Sequence, residues 1–429
     1  CLSLVGSEMC IRDRYYDDTF QQNFEASVLA SIPIASNYAK SMATHAIILD
    51  RTCFYPEGGG QEGDYGKLIS ESSAHTVIDT KKLGNLVVHI STGPFEIGDI
   101  VQGMIDWDRR KQLMDHHTSV HIVGGAARKL LGPHIYQAGS NKSADSSRLD
   151  ITHHRRLTRK DLDQIESIAN EVVQNVQRIE KLTLNRKDAD RKFGFDLYQG
   201  GAPKGSEIRI IRIGDHDVQA CGGTHHDEPS KIGQIRVVRS SAVQDGVERL
   251  HIVAGQSAMN HARSQESILR NTAEVFQVQT DDLPNTATRF FTEWKEQRKR
   301  IEILEAEIVR LRTTGGSSDM SEVDGVRIVV MEVDGDLKQM TKMLKELTLD
   351  ENSPTLAVLA SKLGGGKLMV AITENSIASQ RYNAVEILNH ISGHISGGGG
   401  GRPTFAQGGG SNPSGVPNAI SAAKDLLGV

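Results

Sequence analysis

The feature that most limits what this chain can fold into is a spacing that occurs twice. Asp115-His116-His117-Thr118-Ser119-Val120-His121 sets two histidines four residues apart, and Cys221-Gly222-Gly223-Thr224-His225 sets a cysteine and a histidine at the same interval about a hundred residues later. On a helix, His117 and His121 project from one face and can grip one ion. Together with Cys221 and His225 they make three imidazoles and one thiolate, a set suited to Zn²⁺. One such pair arises by chance and usually means a solvated or hydrogen-bonded histidine. Two matched pairs predict a metal centre, so the fold must bring two distant segments together.

Single cores stop growing at about 250–300 residues, so a chain of 429 is expected to be multidomain. With 54 acidic and 49 basic side chains the net charge is −5, and any phosphate contact must come from a local basic patch. The basic clusters Arg155-Arg156, Arg159-Lys160 and Arg236 with Arg239 are each short and read as solvated faces. Four cysteines are too sparse for a disulfide scaffold and point to a reducing, cytoplasmic setting. No apolar run reaches the roughly 18–20 residues of a membrane helix, so no membrane partner is expected. Residues 1–14 open on Cys rather than Met, are too short and too charged for a signal peptide, and read as a non-native leader. Natural sequence is expected from about Tyr15, with residues 15–44 as the tail of a preceding domain or linker.

From 45 to 107 short alternating apolar runs such as Ala46-Ile47-Ile48-Leu49 and Leu86-Val87-Val88-His89-Ile90 predict a small β-barrel. Within it lies Thr52-Cys53-Phe54-Tyr55-Pro56-Glu57-Gly58-Gly59-Gly60-Gln61. Three glycines allow close backbone approach or positive φ. The loop is either a substrate cradle, with Thr52 and Gln61 offering hydrogen bonds, or a plain β-turn with Thr52 an ordinary strand residue. Residues 108–255 form the metal-bearing domain. A helix over 109–131 holds the histidine pair, and its Gly124-Gly125 demands either a close neighbour or a kink. Thr158 and Asp161 predict a capping box before the stripe Leu162, Ile165, Ala169, Val172, Val176, Ile179, and Ile208–Ile213 predicts a strand leading toward Cys221.

Over 256–315 the residues Phe290, Trp294, Gln297, Ile301, Leu304, Ile308 and Leu311 recur at four- and three-residue spacing. They form a helical or coiled-coil seam, for self-association or for packing on the helix from Ala258 to Phe276. Thr313 to Asp319 is a linker. Residues 322–429 alternate strand and helix as an α/β domain. It ends in Gly397–Gly401 and Arg402-Pro403-Thr404-Phe405-Ala406-Gln407-Gly408-Gly409-Gly410, read as a loop that either cradles phosphate or is a flexible surface segment. The fold class is α+β throughout.

Taken as a set, the Gly-Gly-Gly-Gln loop, His117-Thr118-Ser119-Val120-His121 and Cys221-Gly-Gly-Thr-His225 resemble the editing domain of alanyl-tRNA synthetases and their free-standing trans-editing relatives. Tyr198-Gln199-Gly200-Gly201-Ala202-Pro203-Lys204-Gly205 is similar to the archaeal form, and the C-terminal glycine-rich segment resembles the terminal domain of the same synthetases. Val120 stands where the family usually has Thr. The resemblance implies zinc-dependent hydrolysis of tRNA(Ala) mischarged with serine or glycine, with Thr52 and Gln61 positioning the reacting end and water. It also implies tRNA docking and homodimerisation through the helical arm and C-terminal domain. The family's class II aminoacylation domain, which uses ATP and Mg²⁺, would precede Tyr15, so ligation is not expected of this chain. Four protein ligands complete a tetrahedron, so for catalysis the metal must gain a fifth ligand or release one, and it is expected to anchor the substrate's amino or hydroxyl group.

Two other readings compete. One is a trans-editing deacylase or a non-catalytic zinc-containing tRNA-binding module. The other is a phosphoesterase of the Asp-His-His type, suggested by Asp115-His116-His117, but nothing before residue 115 supplies its aspartate-rich metal motifs.

Overall fold

The computed structural model describes residues 12–13, 15–34, 42–176, 178–201, 205–314, 320–350 and 352–429. Cys1, Cys10, Ala202-Pro203-Lys204 and residues 315–319 of the expected linker lie outside that set. The chain divides into two compact units, one ending at Thr280 and the other beginning at Asp281.

The first unit opens with β1 (Arg12–Asp13), β2 (Asn23–Pro33), β3 (His45–Leu49), β4 (Arg51–Thr52), β5 (Gly66–Ile69), β6 (Ala74–Leu83), β7 (Leu86–Ser91) and β8 (Ile100–Ile105). β1 pairs in parallel with β4, and the others close a barrel in the order β2-β3-β7-β6-β5-β8. The barrel thus starts at Asn23 rather than at residue 45, since β2 pairs with both β3 and β8. Alternation explains it: Phe24, Ala26 and Val28 are buried while Asn23 and Glu25 face out, the period of a half-buried strand.

Inside the barrel His89 is fully buried. Its Nδ1 donates to Ile47 O at 3.1 Å and its Nε2 accepts from Thr52 Oγ1 at 2.8 Å. Burial pulls its pKa down to about 4 from 6.5, against a small opposing effect of the Ile47 carbonyl. Below 6.5 the unfolded chain takes up a proton that the folded chain refuses. Stability from this group is therefore complete above 6.5 and falls by about 3 kcal/mol as pH drops to 4. Urea denaturation of His89→Gln should show a flatter loss of stability between these pH values than the unsubstituted chain.

The unit continues with α1 (Trp107–Leu131), β9 (Gln137–Lys142), β10 (Ser147–Thr152), α2 (Arg159–Asn175), β11 (Ile179–Asn185), α3 (Arg186–Phe193), β12 (Glu207–Ile213), β13 (Asp217–Ala220), β14 (Ile235–Gln244), β15 (Val247–Ala254) and α4 (Gly255–Phe276). Two antiparallel sheets result, β14-β15-β10-β9 and β11-β12-β13. The Thr158–Asp161 capping box is present. Leu162, Ile165 and Ala169 of α2 share a core with Val120, Val123 and Ala127 of α1 and with Leu149, Leu250 and Ile252 of the larger sheet. Ile179 leaves the helical stripe: α2 is capped at Val176, and Ile179 is the first, buried residue of β11. Gly125 meets the close neighbour its position demanded. A Cβ there would lie 2.6 Å from His216 Nε2, which engages Ile122 O at 2.8 Å.

The second unit holds α5 (Leu283–Thr314), β16 (Met320–Val323), β17 (Val326–Glu332), α6 (Leu337–Leu347), β18 (Thr355–Ser361), β19 (Gly366–Ile372), α7 (Ile377–Arg381), α8 (Ala384–Ser392), β20 (Gly397–Arg402), β21 (Phe405–Gly410) and α9 (Val416–Leu427). Phe290, Trp294, Ile301, Leu304 and Ile308 of α5 are all exposed. The sheet runs β16-β17-β18-β19-β21-β20, with β17 and β18 parallel across α6. Met340 and Leu344 of α6 pack on one side, and Leu388 of α8 and Ala423 of α9 belong to the core of the other. The glycine run expected to be a loop is instead edge strand β20, paired along its length with β21. Glycine is required by contact: a Cβ at Gly399 would meet Gln407 O at 2.2 Å and Leu388 Cδ2 at 2.8 Å. Among the described residues, no helix is long and apolar enough to cross a membrane.

Candidate metal centre

α1 presents His117 and His121 from its buried face, and the loop leaving β13 supplies Cys221 and His225. One ligand atom from each lies within 4.8 Å of all the others. Cys221 Sγ is 3.3 Å from both His117 Nε2 and His225 Nε2. The second pair therefore reaches the same point as the first without being helical. Arg209 clamps its loop, donating to Cys221 O and Gly223 O, each at 2.8 Å, while Tyr16 Oη donates to Gly222 O at 2.7 Å. Gly223 is dictated by the centre itself, since a Cβ there would lie 2.0 Å from His117 Cε1.

Two of the three imidazoles are hydrogen-bonded at Nδ1. His117 Nδ1 is 2.7 Å from Gln61 Oε1, and His225 Nδ1 is 3.2 Å from Thr118 Oγ1. His121 Nδ1 lies 3.5 Å from Asp217 Oδ2, an ion-pair separation longer than a hydrogen bond; neither atom has a hydrogen-bond partner. Such outer partners fix the tautomer that turns Nε2 toward an ion. The thiolate, His117 and His225 are held in the forms that ligate a cation, whereas His121 carries its proton until an ion displaces it. Burial alone would push the Cys221 thiol up, but the surrounding imidazoles hold it well below its usual range. Burial, aided by Lys142, drops His117 to about 4, and burial likewise pulls His225 well down. At His121 burial is outweighed by the thiolate and Asp217, and the pKa rises to about 9. A thiolate among three imidazoles, with a carboxylate behind one, fits a divalent cation.

Gln61 and Thr52 do not line the cleft that opens beside these ligands. Gln61 is fully buried and spends its amide on orientation: Oε1 also accepts from Thr224 N at 3.0 Å, and Nε2 donates to Thr224 Oγ1 at 2.8 Å. Thr52 Oγ1 donates to His89 and accepts from Phe54 N at 3.1 Å inside the barrel. The glycine run before Gln61 approaches protein backbone. Gly60, at φ +75, leaves only 2.3 Å between a would-be Cβ and Ser140 O. A positive φ favours glycine there, and the loop docks on β9 so that Gln61 reaches His117. Gln61→Leu should weaken zinc binding by about 10–100-fold, measured by competition with a chelator, because His117 loses its orienting partner. Asp115 and His116 turn elsewhere, to His226 Nε2 at 2.7 Å and Ser143 O at 2.7 Å.

The cleft, about 440 Å³, is walled by Gly59 of the glycine loop, by Gln199, Gly200 and Gly201 of the segment similar to the archaeal form, and by residues with no sequence signature: Gln137, Ser140 and Lys142 from β9, and Gln219 from β13. Lys142 is buried, and burial lowers its pKa to about 8. Its Nζ donates to Gly59 O at 2.9 Å and Ser140 Oγ at 2.6 Å.

Three family models match the chain: tRNA synthetases class II (A) over residues 11–109, the threonyl and alanyl tRNA synthetase second additional domain over 208–251, and the DHHA1 domain over 325–428. The chain is 40% identical over 415 residues to the alanine–tRNA ligase of Halobacterium salinarum and 38% over 419 residues to that of Methanococcoides burtonii. That of Methanosarcina acetivorans is 40% identical over 420 residues. Each alignment takes in 96% of this chain but 44% of the relative, so the chain spans less than half the length of these proteins. Among solved structures, the C-Ala domain from Aquifex aeolicus alanyl-tRNA synthetase is similar over 26% of this chain and 98% of that domain, at 21% identity and a TM-score of 0.23.

Proposed function

We propose that this chain, which belongs to the alanyl-tRNA synthetase family and corresponds to its C-terminal part, hydrolyses the ester joining serine or glycine to the terminal adenosine of tRNA(Ala). The parent protein would attach alanine to that tRNA using ATP and Mg²⁺. The observation that carries the reading is a thiolate–imidazole set, with His117 and His225 hydrogen-bonded at Nδ1, at the edge of a polar cleft. Zn²⁺ held by His117, His121, Cys221 and His225 would supply Lewis-acid chemistry.

The chain's own groups account for the rest. Water adds to the ester carbonyl, the C–O bond breaks, and the amino acid and the tRNA hydroxyl leave. Lys142 uses two of its N–H groups on Gly59 and Ser140, leaving the third to hold the carbonyl or leaving oxygen. Its pKa of about 8 lets the same nitrogen hold or release a proton near neutrality. Gln219 stands on the cleft wall, and its side-chain amide makes no hydrogen bond to protein among the described residues. It is placed to read the serine hydroxyl, a contact that discriminates far better than an extra methylene.

The test is deacylation of seryl-, glycyl- and alanyl-tRNA(Ala) by the chain. Serine and glycine should be freed well ahead of alanine, and Gln219→Leu should narrow the serine preference. Binding of seryl-tRNA with no ester loss would reduce the chain to a docking module.

A further inference from the structure

A second cluster of imidazoles lies beyond the far end of α1. His134 follows the turn at Gly132 that ends the helix, and His153 and His154 follow β10. One ring nitrogen from each of the three lies within 4.8 Å of the other two. His134 Nε2 is 2.9 Å from His153 Nδ1, and these two rings are stacked with centroids 5.1 Å apart. The His154 ring centroid is 4.7 Å from that of His153 and 5.4 Å from that of His134. From His121 to the end of α1 the helix rises about 15 Å, so this group is separate from the Cys221 centre.

The two backbone segments are tied before any ligand arrives. Thr152 N donates to Tyr136 O at 2.9 Å, Thr152 Oγ1 donates to His134 O at 2.6 Å, and His153 N donates to Gly246 O at 2.9 Å. His134 Nδ1 faces its own turn, within 3.2 Å of where a Cβ on Gly132 would sit. His153 is 5% exposed, and its Nε2 is buried with no hydrogen-bond partner. Neither tautomer satisfies that ring: with the proton on Nδ1 a bare lone pair is buried, and with it on Nε2 a bare N–H is buried. The neighbouring cationic side chains are already engaged. Arg155 forks onto Asp161 at 2.8 and 3.0 Å, and Arg156 meets Glu248 at 3.3 Å.

We propose that His134, His153 and His154 form a second metal site, specific for a borderline divalent cation of the Zn²⁺, Ni²⁺ or Cu²⁺ type that neutral imidazole prefers. The site has no thiolate. His134 and His154 are exposed, so solvent completes the coordination and the ion braces the turn after α1 against the end of β10.

Co²⁺ tests this, because its thiolate charge-transfer band reports the Cys221 centre and not an all-imidazole one. The metal-free chain titrated with Co²⁺ should bind one equivalent that adds no thiolate band. His134→Ala/His154→Ala, two exposed changes, should lose that equivalent and keep the band, whereas Cys221→Ser should lose the band and keep the equivalent. The proposal is overturned if all tightly bound Co²⁺ contributes to the thiolate band, or if the band-free equivalent persists in the double variant. Loss of the band-free equivalent in the double variant depends neither on deacylation nor on the Cys221 centre binding metal.

Discussion

Cys221→Ala is expected to lower zinc affinity by more than about 100-fold and to abolish deacylation of seryl-tRNA while leaving the barrel and the second unit folded. Cys221 is the sole anionic ligand, in contact with two imidazoles at 3.3 Å. Its removal takes away the charge that offsets a dication in a buried site, which weighs more than losing an outer partner, worth 10–100-fold. The same change removes the thiolate that raises His121, so this ring should titrate lower in the variant. Metal content after dialysis against a competing chelator, read beside initial deacylation rates, checks both effects. Full activity in the variant would take the metal out of the mechanism.

Asp64→Ala should destabilise the first unit by about 3–5 kcal/mol, the cost of leaving one member of a buried ion pair without its partner. Arg110 and Asp64 are both 0% exposed in their side chains. Arg110 Nε lies 2.9 Å from each carboxylate oxygen, and its terminal nitrogens reach Thr19 O at 3.0 Å and Cys53 O at 2.7 Å. Asp64 also accepts from Tyr55 N at 2.7 Å. The pair has a consequence for the centre. Arg110 precedes His117 by two helical turns, about 10 Å of rise, and Asp64 follows Gln61 by three residues. One ion pair therefore holds the Gln61 loop against the helix that carries its target. Denaturant midpoints for Asp64→Ala, Arg110→Met and the double variant should show the double change costing less than the sum.

The clustering of His117, His121, Cys221 and His225 was legible because each pair is a local spacing, and local spacing survives without knowledge of the fold. Their supports were not. Gln61 stood out in the sequence, but its use depends on Gly60 docking onto Ser140 some eighty residues away, which turns an expected substrate contact into a hydrogen bond behind His117. Asp217 and Lys142 carry no motif and matter only because β13 and β9 flank the ligands. The same limit explains the C-terminal glycines. Glycine has no intrinsic preference for a strand, and β20 exists because β21 and Leu388 leave no room for side chains on alternate residues. Where local pattern alone decides the element, as in α1 over Trp107–Leu131 and β12 over Glu207–Ile213, sequence and structure coincide to within two residues.

On the proposed function, ester hydrolysis belongs to the Cys221 centre. The direct measurement is the initial rate of serine release from seryl-tRNA(Ala) by the chain as prepared, after chelator stripping, and after Zn²⁺ is returned in substoichiometric steps. The predicted result is loss of the rate on stripping and recovery in proportion to zinc, reaching its plateau only once the site containing the thiolate is filled. An undiminished rate in the metal-free chain would contradict it.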